Sequence, residues 1–215
     1  MNKFIDHTLL KPNATSTEIK QLCEEAMQYN FKSVCINPCY VEMAKAILAK
    51  TDVKVCTVIG FPLGANTTET KCFETASALK NGADEFDMVI NVGWLKDKNY
   101  NKVLDEINAI KAVIGEHVLK VIVEISLLTD EEIIKMSKLV SESKADYIKT
   151  STGFGAHGAS LHAVKIMRDH INSTTKIKAS GGIRDYKTAK AYLDLGVNRL
   201  GVSAGIQIIQ EFKNL

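Results

Sequence analysis

Short runs of Val, Ile and other apolar residues recur along the chain, separated by longer stretches in which apolar positions return every three or four residues. The short runs predict eight strands, at 4–9, 33–37, 54–59, 85–91, 119–125, 146–150, 176–180 and 199–203. Most lack clean alternation, as strands covered on both faces should. The longer stretches predict helices at 17–29, 66–80, 101–114, 130–143, 160–170, 185–195 and 205–212. The first of these places Ile19, Leu22, Cys23 and Ala26 on one face. A start at Ser16 lacks a capping-box Glu, whereas Thr129-x-x-Glu132 and Asp185 are good helix starts.

Regular alternation of strand and helix implies a parallel sheet with helical crossovers. The ends of the second and eighth strands, Asn37 and Ser203, leave roughly 28 residues for each of six steps. Eight such units predict an α/β fold, a (β/α)8 TIM barrel forming a single domain over residues 1–215. An open doubly wound sheet would carry an early G-x-G-x-x-G, and none follows an early strand here.

Several strands carry charge opposite their aliphatic face, where a barrel interior is normally apolar. In Glu85-Phe86-Asp87-Met88-Val89-Ile90, the residues Phe86, Met88 and Ile90 share one face and Asp87 takes the other. Lys149 opposes Ile148, and Lys178 opposes Ile177 and Ala179. Glu124 and Asn37 fit the same pattern near the ends of their strands. Lys120 and Lys176 read as solvated strand-end lysines. An unpaired buried charge costs several kcal/mol, so Asp87, Lys149 and Lys178 must pair or face a wet pocket. In a barrel the C-terminal strand ends form that pocket.

Composition narrows the function. Lys plus Arg is 27 and Asp plus Glu is 25, a net charge of +2, too balanced for a nucleic-acid or polybasic membrane footprint. No apolar stretch is long enough to span a bilayer, and Asp6 interrupts any N-terminal secretion signal. Five cysteines, Cys23, Cys35, Cys39, Cys56 and Cys72, form no C-x-x-C. They read as reduced cytoplasmic thiols with no metal-ligand spacing.

Two glycine turns fall where this architecture recurrently holds phosphate, after strands seven and eight. Ser180-Gly181-Gly182-Ile183-Arg184 is the first, and Gly201-Val202-Ser203-Ala204-Gly205 the second. Backbone N–H groups and a helix N-terminus would hold the anion, with Arg184 and Ser203 beside them and Thr152-Gly153 adding from the sixth strand. Cys35 and Asn37 share a face and are candidates for lining the pocket.

Six segments, in order along nearly the whole chain, resemble the deoxyribose-phosphate aldolase family. They are Asp6-His7-Thr8-Leu9-Leu10, Val34-Cys35-Ile36-Asn37-Pro38, 55–62, 85–91, 147–154 and 177–184. Most specific are Lys149-Thr150-Ser151-Thr152-Gly153-Phe154 and Lys178-Ala179-Ser180-Gly181-Gly182-Ile183-Arg184. The resemblance implies a metal-free, cofactor-free class I aldolase of the cytoplasm, often dimeric, serving deoxyribonucleotide and carbohydrate catabolism. Its substrates would be 2-deoxyribose 5-phosphate, glyceraldehyde 3-phosphate and acetaldehyde. It implies Lys149 as the Schiff-base lysine, with Lys178 and Asp87 handling protons. Some members end in a Tyr that assists proton transfer, but this chain ends Glu211-Phe212-Lys213-Asn214-Leu215, with no Tyr after Tyr192. Val202 stands where members often carry Thr or Ala.

The chemistry is consistent with those roles. An iminium formed by a lysine amine is an electron sink that permits the adjacent C–C bond to break. An ordinary lysine, pKa about 10.4, is a poor nucleophile at neutral pH, and a neighbouring cation such as Lys178 would lower it. Two other readings stay open at this level, a transaldolase-like sugar-phosphate barrel and a non-catalytic sugar-phosphate binder.

Overall fold

A computed structural model describes residues 1–214. Leu215, the last residue of the tail noted above, lies outside them. Eight parallel strands close into a barrel in sequence order. They are β1 (Ile5–Leu9), β2 (Ser33–Ile36), β3 (Lys54–Ile59), β4 (Glu85–Val89), β5 (Val118–Ile122), β6 (Tyr147–Lys149), β7 (Lys176–Ser180) and β8 (Arg199–Val202). The ring closes where β8 pairs with β1, with Ile5 opposite Leu200 and Asp6 opposite Gly201.

Helices α1 (Ser16–Gln28), α2 (Val41–Leu48), α3 (Thr68–Lys80), α4 (Val92–Lys96), α5 (Tyr100–Ile114), α6 (Asp130–Glu142), α7 (Leu161–His170), α8 (Tyr186–Asp194) and α9 (Gly205–Lys213) cross between the strands. Sequence periodicity missed α2 and α4. The first has eight residues and a Tyr40 cap without a side-chain bond, and the second has five residues. The start of α1 also differs. Thr15 is its cap, so Glu18 falls at the third helical position and completes a capping box after all. Thr129 and Asp185 cap α6 and α8 as expected.

The main core lies between sheet and helices. Phe86, Met88 and Ile90 of the β4 segment join Leu119, Val121, Ile148, Ile177 and Leu200 there. A smaller apolar cluster, Leu10, Cys35, Cys56 and Val58 with Phe61 packed on it, stands apart from this core.

A buried ion pair outside the barrel holds the end of β4 in place. Lys71 on α3 and Glu106 on α5 are both fully buried, 2.8 Å apart. Lys71 Nζ also donates to the Val89 carbonyl at 2.8 Å, and Glu106 accepts from the Asn91 N–H at 3.2 Å. Two charges without water must satisfy their remaining hydrogen-bonding capacity, and the backbone just past Asp87 does so.

Candidate active site

Strand alternation sends one charged residue or more of each contributing strand inward, and barrel closure stacks them. Asp87 of β4 is their hub. Its Oδ1 accepts from Lys120 Nζ at 2.8 Å, and its Oδ2 accepts from Lys149 Nζ and Lys178 Nζ, each at 2.8 Å. Lys120 reaches Glu85 at 2.7 Å, and Lys178 reaches Asp6 at 2.5 Å. Arg199 of β8 completes the set, bridging Asp6 Oδ1 at 2.5 Å and both Glu85 oxygens at 2.6 Å. Four cations thus meet three carboxylates, and one positive charge is left over.

Lys120 is therefore not a solvated strand end. It is fully buried, opposite Asp87 in the β4–β5 register. Asp6, Glu85 and Arg199 were also passed over in the sequence. Their signal was the same two-residue alternation that exposed Asp87. Lys176 does face solvent.

Electrostatics fixes the ionisation of this cluster. Burial alone would raise the Asp87 carboxyl, but Lys120, Lys149 and Lys178 outweigh it and hold it well below the usual carboxylate range. Asp6 is likewise lowered against burial by Arg199, Lys178 and Lys120. Burial opposes the charge of Lys178, yet Asp6 and Asp87 raise it above an ordinary lysine. From the sequence, Lys178 is expected beside Lys149 as one cation against another. The structure inserts Asp87 Oδ2 as their common acceptor.

Above this cluster opens a cavity of about 440 Å³. Lys149 lines it, as do Thr8–Lys11 of the β1 end, Thr152, Gly153, Phe154, Gly181, Gly182, Arg184, Gly201 and Ser203. Asp87 and Lys178 lie beneath its floor, fully buried, so Lys149 alone of the three reaches the open space. Gly201 serves a close approach. A Cβ there would fall 3.1 Å from Lys178 Cε and 2.9 Å from Ser180 Cβ.

Cys35 and Asn37 are not on this lining. Cys35 does point inward, but its layer is already filled. Its sulfur, that of Cys56 and an Asp87 oxygen lie within 4.8 Å of one another, below the cavity. Such a trio has the donor types of a metal site, yet the three ammonium groups on Asp87 would repel a cation there. Asn37 stands just past the end of β2, and its side-chain amide donates to the Lys11 carbonyl at 3.2 Å.

A buried lysine at the floor of a (β/α)8 barrel, bonded to a carboxylate and overlooked by glycine turns, has the groups that carbonyl chemistry needs. The DeoC/LacD family aldolase model matches residues 1–211, and the chain belongs to that family. It is 54% identical over 214 residues to the deoxyribose-phosphate aldolase of Caldanaerobacter subterraneus subsp. tengcongensis, covering 98% of this chain and 93% of that protein. It is also 54% identical to the deoxyribose-phosphate aldolase of Staphylococcus carnosus, covering 97% and 94%. The tetrameric deoxyribose phosphate aldolase structure from Aeropyrum pernix superposes with a TM-score of 0.89 at 31% identity, covering 99% of this chain and 90% of that one.

Proposed function

We propose that this aldolase cleaves 2-deoxyribose 5-phosphate reversibly to glyceraldehyde 3-phosphate and acetaldehyde through a Schiff base on Lys149. The observation that carries the reading is the position of Lys149, the one inward lysine that both lines the cavity and bonds to Asp87. Its amine adds to the C1 aldehyde, and the carbinolamine loses water to give an iminium. Removal of the 3-hydroxyl proton then breaks the C2–C3 bond. The electron pair moves into the iminium, leaving the enamine of acetaldehyde on Lys149 and releasing glyceraldehyde 3-phosphate. Protonation at C2 and hydrolysis free acetaldehyde. Asp87, bonded to both lysine amines, is the path along which protons pass between Lys149 and Lys178. Its depressed pKa keeps it ionised, an acceptor for both amines.

The phosphate sits against Gly181-Gly182 and Gly201–Ser203, with Gly153 and Arg184 across the same cavity. Thr152 donates both its N–H and its hydroxyl to Glu124, so its contribution is to place Gly153. The partners are these small molecules and a second copy of the chain, and neither nucleic acid nor membrane. No helix among the described residues is long and apolar enough to cross a membrane, in keeping with the cytoplasmic location we propose.

Incubation with 2-deoxyribose 5-phosphate should yield acetaldehyde and glyceraldehyde 3-phosphate in equal amounts. Tight binding of the sugar phosphate without either product would sink the reading. Gly182 has φ +81° and lines the cavity, with open space around a built Cβ. Gly182→Val therefore acts through the turn's backbone, which a β-branched residue cannot hold at that angle. KM for the phosphorylated sugar should rise by about tenfold or more, and far less for plain deoxyribose. Equal losses for both sugars would place the phosphate elsewhere.

A further inference from the structure

Glu124 is buried just past β5, and no step above uses it. Its backbone is left-handed, φ 55° and ψ 71°, a conformation unfavourable for a non-glycine residue. Left-handed backbone at a buried carboxylate persists only where surrounding bonds impose it. Those bonds converge on one target. Glu124 Oε2 accepts from the Thr152 N–H at 3.0 Å and from the Thr152 hydroxyl at 2.5 Å. Oε1 accepts from Ser126 Oγ at 2.9 Å. Thr152 Oγ1 in turn accepts from the Phe154 N–H at 3.0 Å, which sets the turn through Gly153. Gly155 follows closely, since a Cβ there would lie 2.9 Å from Glu124 Oε1.

The far end of the same loop braces the other wall of the cavity. The Ala159 N–H donates to the Ser180 and Gly181 carbonyls at 3.0 and 3.1 Å. Gly181 packs on Gly158 so closely that a Cβ on Gly181 would fall 2.8 Å from the Gly158 Cα. The loop between β6 and α7 is thus held by Glu124 at its Thr152 end and packs on the glycine turn after β7 at its other end. A carboxylate would repel a phosphate directly, so its value here lies in holding donors rather than touching the ligand.

We infer that Glu124 is a positioning residue for the phosphate end of the substrate, setting through Thr152 the separation of the two cavity walls. This rests on the substrate reading above. The backbone beside Glu124 pairs with that of Lys149 and Thr150 whatever side chain stands at 124, and the Lys149 amine is held by Asp87 rather than by the Glu124 carboxylate. Loss of Glu124 should therefore weaken recognition of phosphate and leave lysine chemistry in place.

The test compares Glu124→Ala, Glu124→Gln and Glu124→Gly in three assays. These are KM for 2-deoxyribose 5-phosphate, kcat/KM for unphosphorylated deoxyribose, and borohydride trapping of acetaldehyde. Glu124→Ala should raise the phosphorylated-sugar KM by about tenfold, with the other two readouts within about threefold. Glu124→Gln keeps an acceptor for Thr152 and should recover most of the loss. Glu124→Gly relaxes the left-handed backbone and removes the carboxylate, so it should avoid the backbone strain of the alanine variant yet show the same KM. In a Thr152→Val background, Glu124→Ala should add almost nothing, because the pair acts as a unit. Equal losses with both sugars, an unchanged KM, or full activity in Glu124→Gly would overturn the inference. Failure of the unmodified protein to trap acetaldehyde would overturn the Schiff-base reading itself, and the inference with it.

Discussion

Borohydride added to the protein with acetaldehyde should leave one ethyl group, about 28 Da by elemental arithmetic, on the peptide containing Lys149. Lys149→Leu should abolish the adduct and lower kcat by a factor on the order of 10⁴ or more at every pH. The reason is geometric. Lys120 and Lys178 carry the same amine but are fully buried under the cavity floor, where no aldehyde reaches them. A pH-independent loss distinguishes this variant from one that merely disturbs proton transfer. Peptide mapping that finds the ethyl group on Lys178 would exchange the two roles. Appreciable turnover in Lys149→Leu would remove the Schiff base from the mechanism.

Asp87→Asn should have the second largest effect, on activity and on stability together. Removing the acceptor that joins Lys149 to Lys178 breaks the proton path, a loss of about 10² to 10⁴ in kcat/KM. It also leaves four buried cations against two carboxylates. Breaking a buried ion cluster by removing one partner costs about 3–5 kcal/mol. Denaturant unfolding alongside steady-state kinetics would measure both. Activity within about tenfold of the unmodified protein would exclude Asp87 from the chemistry.

The same cluster sets the shape of stability against pH. Asp6 and Asp87 have folded pKa values below those of the unfolded chain. Their contribution is complete above about pH 4 and disappears as pH falls through the depressed values. Lys120 and Lys178 have folded pKa values above ordinary lysine. Their contribution is complete below about pH 10 and disappears as pH rises through the raised values. The unmodified protein should show a plateau between these limits. In Asp87→Asn both limbs should be shallower, because one depressed carboxylate is gone and the raised lysines Lys120 and Lys178 have each lost a partner.

Strand faces were legible in the sequence, and depth was not. Alternation within 85–90 was enough to separate Asp87 from Phe86 and Met88, because a strand has only two sides. The same rule applied to 118–122 puts Lys120 opposite Leu119 and Val121. It does not say whether that lysine lies at the rim or in the barrel. Depth depends on how far each strand is staggered against its neighbour, which one strand's sequence does not encode. Cys35 shows the complement of this problem. Its face was inward as read, but the ion cluster occupies its layer and the cavity begins above it. Glu124 is different again, since a left-handed backbone angle at a glutamate has no local sequence signal.

The Asp6–Arg199 bridge spans 193 positions of the chain, across the β8–β1 seam. Loop closure of that length comes late and slowly when a chain collapses from its ends inward to a ring. Without the β8–β1 seam, Lys178 and Arg199 lack Asp6, the carboxylate they share, and have only Asp87 and Glu85 respectively. The full ion pairing of the proposed site is thus a property of the finished circle. A chain with seven strands in place would look almost folded to a probe of helix content, and the ion cluster beneath its cavity would still be incomplete.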